Sequence, residues 1–301
     1  IVISTENGEG RGSGRAPTSF NLHAALCACA PLLLRFGGHS AAAGLTIEEE
    51  KIGAFRKAIN DWAAKEYPVP KPLPLKLDAV ADIAELTVPT VQELSRLAPF
   101  GSGNPVPVFL LQNAAVDGIW PLGSEGRHCR IRLRQGGAAC FVSLFGTAPD
   151  DLPYRMGTVV DAAVEVSIFQ GRGGPMVSCH CCAMRPAGLG NAPAEQAARF
   201  DAFLSGTALP DDERLACLPT RADTAAVYRM VRTGNVFADD LQPLFATAGP
   251  ENTGKTLASL TALEQLGLIE RRGSRYQPVE VTGKKDLSSA PVLRRLAEGE
   301  G

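Results

Sequence analysis

Apolar positions change period along the chain. Ile1-Val2-Ile3-Ser4 reads as a strand already in progress, and a helix then follows from 21 to about 29, resuming after Pro31 as far as Phe36 and halting at Gly37-Gly38. Ile52, Phe55, Ile59 and Trp62 recur at spacings of 3, 4 and 3, which predicts a second helix. Thr46 caps it in this reading, and Glu48, Glu49 and Glu50 suit its positive N-terminal end. Alternate prolines over 67–74 cannot be helical and predict a stiff extended linker.

Beyond the linker the pattern predicts a strand over 75–83 and a short helix over 89–97, capped or preceded by Thr87. Short runs with turn signals follow at 108–111, 116–120, 128–134, 138–145, 159–169 and 175–182. Five or six strands so spaced predict a small barrel or sandwich. Residues 186–193, with Gly188 and Gly190, read as a second linker, and the remainder, about 195–297, as mostly helical. Helices over 222–231, 239–245 and 253–266, then a hairpin around Arg272-Gly273-Ser274, give a winged-helix-like order. The expected fold class is therefore α/β plus all-β, with a helical C-terminal domain.

Composition narrows this picture. Of 301 residues 45% are hydrophobic and 21% charged, which excludes wholesale disorder. No apolar run reaches the roughly 18 residues of a transmembrane helix, so no membrane partner is expected. The absence of Met at position 1 leads us to expect sequence upstream of Ile1, and eight cysteines without a secretory segment fit a reducing, cytoplasmic compartment. Net charge is −2, and 188–301 holds 13 basic and 15 acidic residues, not the footprint of a duplex-DNA reader.

The barrel departs from this neutrality. Arg127, His128, Arg130, Arg132 and Arg134 fall together, and no Asp or Glu occurs from 126 to 149. Alternation places Arg130, Arg132 and Arg134 on one strand face at about 6.5 to 7 Å intervals, the spacing of phosphates in an extended single strand. Phe141 and Phe169 could add stacking. The bland reading is a solvated strand face.

Phe36-Gly37-Gly38-His39-Ser40-Ala41-Ala42-Ala43-Gly44 reads as a loop able to hold a phosphate with main-chain N–H groups and an imidazole, or else as a turn with a structural histidine. Gly10-Arg11-Gly12-Ser13-Gly14-Arg15 reads as a second such loop, Arg15 offering a planar fork, or as an ordinary surface turn. Leu97-Ala98-Pro99-Phe100-Gly101-Ser102-Gly103-Asn104-Pro105 reads as a structural corner. Cys179-His180-Cys181-Cys182 is a legitimate zinc ligand set, but on a strand its members face opposite ways, so no metal site is expected. Gly249 to Thr256 matches the spacing of a phosphate-binding loop, yet no buried strand leads into it.

Three segments in this order, Gly12-Ser13-Gly14-Arg15, Arg35-Phe36-Gly37-Gly38-His39 with Ala42-Ala43-Gly44, and Leu97-Ala98-Pro99-Phe100-Gly101 with Gly103-Asn104-Pro105, resemble RecJ-type single-stranded-DNA exonucleases of the DHH phosphoesterase superfamily. The resemblance implies a DHH-associated domain over 1–66, an inter-domain segment over 67–107, an OB-fold over 108–187 and a C-terminal extension over 195–297. It implies 5′-to-3′ hydrolysis using Mn²⁺ or Mg²⁺ held by a DHH domain outside this sequence, so that this chain binds no metal and is inactive alone. Substrate-phosphate contacts are expected from Ser13, Arg15, Gly37, Gly38 and His39, and single-stranded-DNA contacts from Arg127, His128, Arg130, Arg132, Arg134, Phe169 and Arg172. Ala16 departs from the pattern, which has a hydroxyl residue there. A repair or replication protein is the expected partner of the C-terminal domain. The rival readings are a phosphoesterase of short oligonucleotides or dinucleotides, and a non-catalytic OB-fold module.

Overall fold

The computed structural model describes residues 1–17, 19–67, 74–171 and 173–299. They fall into two compact units, one within 1–67 with 198–209, the other within 74–197 with 210–299.

In the first unit four antiparallel strands stand in the order β1 (Val2–Glu6), β2 (Glu9–Arg15), β4 (Ala42–Glu48), β3 (Arg35–Gly38). Helices α1 (Leu22–Ala28) and α2 (Ile52–Glu66) supply Leu22, Leu26 and Phe55 to a core shared with Leu45 and Ile47 of β4. The glycine-rich stretch expected as a loop is strand β2. A Cβ at Gly10, Gly12 or Gly14 would come within about 3 Å of Ile3, Leu45 or Leu22 respectively, so these glycines let the sheet meet its apolar neighbours closely. Helix α1 does not resume to Phe36. A single 3₁₀ turn, Ala30–Leu32, follows it, and Arg35–Gly38 pairs with β4. Nor does Thr46 cap α2: it lies within β4, whose Ala43, Leu45 and Ile47 alternate into the core. Glu49–Lys51 forms the 3₁₀ turn that leads into α2.

The second unit is built on a closed barrel. β6 (Val108–Leu122), β7 (His128–Gln135), β8 (Ala138–Leu144), β10 (Gly174–Pro186) and β9 (Val159–Gly171) pair in that order, and β9 pairs back to β6. The two runs expected at 108–111 and 116–120 form the one strand β6, irregular between Leu111 and Ala114 and again between Val116 and Gly118. At the first irregularity Asn113 takes φ 53°, and its N–H donates to the buried Asp161 carboxylate. Leu111, Val116, Ile131, Leu133, Val142, Val160 and Val164 fill the interior, each worth roughly 1.5 to 3 kcal/mol on burial. Of the strand expected over 75–83 only β5 (Ala79–Val80) forms, parallel to β6. Thr87 caps α3 (Val88–Glu93) through the Thr90 N–H, and Leu94–Leu97 continues as 3₁₀ helix. In the corner that follows, the Asn104 amide donates to the carbonyls of Leu97 and Pro99.

The C-terminal region is helical around a small hairpin. α4 (Ala192–Leu204) begins inside the expected linker, and α5 (Asp211–Ala216) precedes α6 (Arg221–Arg232), α7 (Gln242–Ala248), α8 (Thr253–Gln265), the hairpin β11 (Ile269–Arg272) and β12 (Arg275–Pro278), and α9 (Pro291–Glu298). The winged-helix order is present, but α8 is sheathed, with Leu257, Ala258, Leu260 and Leu263 buried together with Thr256 and Ser259. The hairpin tip is tied to the barrel: the Ser274 hydroxyl donates to Asp151 at 2.7 Å, and the Arg275 guanidinium lies 4.5 Å from the ring centre of Phe237, which also faces Arg155. The Tyr154 hydroxyl bonds to the Met184 carbonyl and the Asp240 carboxylate. Helix α8 is thus used in packing, while Arg271, Arg272 and Gly273 of the hairpin stay exposed. Residues 68–73 of the expected proline linker lie outside the described residues.

Candidate nucleic-acid interface

Strand β7 sets the barrel's outer face. Cys129, Ile131 and Leu133 are fully buried, so His128, Arg130, Arg132 and Arg134 point the other way. Cross-strand register brings Trp120 and Ser143 beside Arg130, and Gly118 and Phe141 beside Arg132. Trp120 and Phe141 lie 5.9 Å apart between ring centres, and the Arg130 guanidinium sits 5.4 Å from the Phe141 ring. Both residues are 45% exposed, which leaves surface for a base to stack on. A second group extends this face: Phe145 contacts His128 at 5.3 Å and His180 at 5.2 Å. The Gly146 N–H donates to Nδ1 of His128, which fixes that ring.

The irregularity in β6 decides this arrangement. Val116 opposes Leu133 and Gly118 opposes Arg132, so Asp117 is the extra residue of a bulge. The bulge shifts the strand's phase: Ile119 turns inward opposite Ile131, while Gly118 and Trp120 join the arginine face. It also delivers an acid to a face that is acid-free along its own strand. Asp117 lies 3.4 Å from Arg132 Nε and 3.4 Å from Arg134 Nη2.

Other expected residues are placed differently. Arg127 precedes β7 and pairs with Glu125 at 2.7 Å. Phe169 stands opposite Met176 near the tip of the β9–β10 hairpin, both more than half exposed. Arg172 lies outside the described residues. Trp120, Phe145 and His180 were not expected in this face. Trp120 was hidden by the bulge, and His180 reads in sequence only as part of a thiol cluster.

In the first unit, register aligns Ser13, Gly44 and Gly37 across β2, β4 and β3, with Arg11, Thr46 and Arg35 in the adjacent row and Arg15 opposite Ala42. A Cβ on Gly37 would meet nothing, and one on Gly44 only the Gly12 carbonyl, so these glycines leave a bare floor on the face opposite the core. Ser13, Arg15, Gly37, Gly38 and His39 are all exposed. Gly38 is at φ +139° and has no room for a side chain beside Ala42 and Ala43. The segment expected as an open loop is thus a strand and tight turn, and the His39 N–H is spent on the Ala42 carbonyl. The Arg15 guanidinium donates to Ser13 Oγ and to the Gly14 carbonyl, which holds it over the floor's edge. Donors left to a phosphate are side chains, the Ser13 hydroxyl, the Arg15 fork and the His39 imidazole, rather than a cradle of main-chain N–H groups.

Two tempting motifs close up. Cys179 and Cys181 are buried in the barrel, where desolvation pushes the Cys181 thiol up to about 12, while Cys182 is exposed. Among the described residues no group of three or more His, Cys, Asp or Glu converges as a metal site would require. In the phosphate-loop match, Gly254 abuts Cys217 and the Thr256 hydroxyl is buried, which leaves no space for a nucleotide.

The chain thus combines an α/β sheet that has a glycine floor with an OB-type barrel that has an aromatic and arginine face. Residues 1–65 match the family model of the DHHA1 domain and residues 77–181 that of the RecJ OB domain. By these two domains the chain belongs to the RecJ family. It is 32% identical over 135 residues to the single-stranded-DNA-specific exonuclease RecJ of Bacillus subtilis (strain 168), covering 44% of this chain and 17% of that protein. To the RecJ of Thermus thermophilus it is 36% identical over 126 residues, covering 42% and 18%. The crystal structure of the Thermus RecJ in complex with Mn²⁺ aligns with a TM-score of 0.48 at 29% identity, over 61% of this chain and 26% of that one. The matched segment thus spans under a fifth of the length of these two curated relatives.

Proposed function

We propose that this chain is the substrate-holding part of a RecJ-type exonuclease that degrades single-stranded DNA from 5′ to 3′ in cytoplasmic DNA recombination and repair. The observation that carries the reading is the barrel's outer face, where arginines at phosphate spacing stand beside open Trp120 and Phe141 rings. Guanidiniums hold a backbone of any sequence and aromatic faces hold any base, which suits an enzyme that must move along its substrate. The names of the curated relatives support the same substrate.

In this reading 1–66 meets the phosphate to be cleaved, 108–187 holds the strand, and 195–297 contacts a repair or replication protein. Phosphodiester hydrolysis in the family calls on Mn²⁺ or Mg²⁺, which would polarise the phosphate and activate water. The described residues do not fit such ions, since no acid and histidine cluster is formed. What they offer is positioning: Arg15 and Ser13 orient a phosphate above the bare glycines, and His39 at the adjoining turn adds a donor.

The test is to incubate the purified chain with labelled single-stranded and duplex oligonucleotides and Mn²⁺. Retention of the single strand without cleavage above a boiled control is the expected result. Cleavage, or equal retention of duplex, would contradict the reading.

A further inference from the structure

The bulge in β6 spends a residue on placing a carboxylate where a nucleic-acid face should exclude one. Asp117 lies 3.4 Å from Arg132 Nε and 3.4 Å from Arg134 Nη2, and its side chain is only 23% exposed. These separations exceed the 2.7 to 2.9 Å of a tight charge-assisted hydrogen bond, so the carboxylate holds both guanidiniums loosely. They belong to alternate residues of β7 on the face that carries Trp120 and Phe141. A carboxylate shared between two guanidiniums presents the same chemistry as a phosphodiester: two anionic oxygens accepting from planar forks.

We infer that Asp117 occupies, in the free protein, the place of a DNA phosphate between Arg132 and Arg134, and so limits the affinity of this face for single-stranded DNA. The inference rests on the barrel's outer face being the strand-binding surface. A strand phosphate competes with Asp117 for the two arginines, and a phosphate bound between them therefore replaces an existing attraction rather than adding a new one. Arg130 is different, because it rests on the Phe141 ring, whereas Arg132 and Arg134 are held by Asp117. The consequence for an enzyme that shortens a strand stepwise is a strand that is held but readily released at each step. The bulge supplies this together with the stacking platform, since the same extra residue turns Gly118 and Trp120 outward.

The test uses the full chain and a fluorescent oligothymidylate, titrated at several salt concentrations. Asp117→Asn keeps the side chain's shape and removes its charge; Asp117→Glu keeps the charge. Two partly exposed ion pairs of ordinary strength convert to roughly 2- to 30-fold tighter binding for Asp117→Asn. The salt slope should steepen by up to about 0.7, one single-strand phosphate's worth. Asp117→Glu should bind as the parent does. In addition, Arg132→Ala should cost more when combined with Asp117→Asn than it does in the parent.

Weaker or unchanged binding by Asp117→Asn, with arginine-dependent binding intact and an unaltered melting temperature, would overturn the inference alone and make Asp117 an orienting residue. Loss of melting temperature in Asp117→Asn but not in Asp117→Glu, without tighter binding, would also overturn it. Binding that ignores Arg130, Arg132 and Arg134 altogether would overturn the strand-binding reading as well.

Discussion

The indole of Trp120 lies over the backbone of Gly118, two residues earlier on the same strand, so closely that a Cβ on Gly118 would collide with the ring. The glycine is the seat of the aromatic platform. Gly118→Ala must therefore push Trp120 off the face it shares with Phe141. We predict that Gly118→Ala and Trp120→Ala weaken binding of an oligothymidylate to a similar degree, by about 1 to 3 kcal/mol, the worth of one stacked base. Quenching of Trp120 fluorescence by DNA, read in a Trp62→Phe background, should be lost in Gly118→Ala. Full quenching there would show that the ring does not need its seat.

The two glycines before His39 separate function from folding. Gly38 sits at φ +139° with Ala42 and Ala43 against it, so Gly38→Ala should destabilise the unit by about 1 to 3 kcal/mol. Gly37 faces open space, and Gly37→Ala should leave the melting temperature nearly unchanged. In a complete enzyme that second change should still lower turnover by raising the floor beneath the phosphate. Denaturant melts of both variants check the first half, and steady-state rates the second.

Asp240 gives the contact between barrel and C-terminal region a pH dependence. Burial raises its pKa above the usual carboxylate range, despite hydrogen bonds from Gln242 and Tyr154 that pull it down. A folded-state pKa above the unfolded one means that stability is present in acid and is lost as pH rises through the folded value. Asp240→Asn removes that titration. We predict that the parent loses melting temperature relative to Asp240→Asn as pH is raised from about 4 toward neutrality. Parallel pH profiles would contradict the assignment.

Parts of this architecture were legible in the residues and parts were not, for physical reasons. The 128–134 strand declares itself because Cys129, Ile131 and Leu133 alternate with basic residues, and α6 to the β11–β12 hairpin follow from periodicity and turn chemistry. Strand β2 looks like a loop in sequence because glycines usually mark turns, whereas here they clear space for Ile3, Leu45 and Leu22. Helix periodicity carried too far toward Phe36 because strand pairing by Arg35–Gly38 is a long-range event. The acid-free run in the barrel was true of the sequence and untrue of the surface, since Asp117 arrives from the neighbouring strand through a bulge that no local pattern announces. That the wing is tied down by Asp151 and Phe237 is likewise set by tertiary contact alone.

The most direct test of the central claim is the salt dependence of single-strand binding by the whole chain, with Arg130, Arg132 and Arg134 each changed to Ala. A phosphate-contacting arginine contributes about 0.7 to the slope of log K against log salt. The account predicts that the triple variant binds weakly and that its slope falls by about one to two. A slope and affinity equal to those of the parent would make the arginine face a solvated surface and contradict the account.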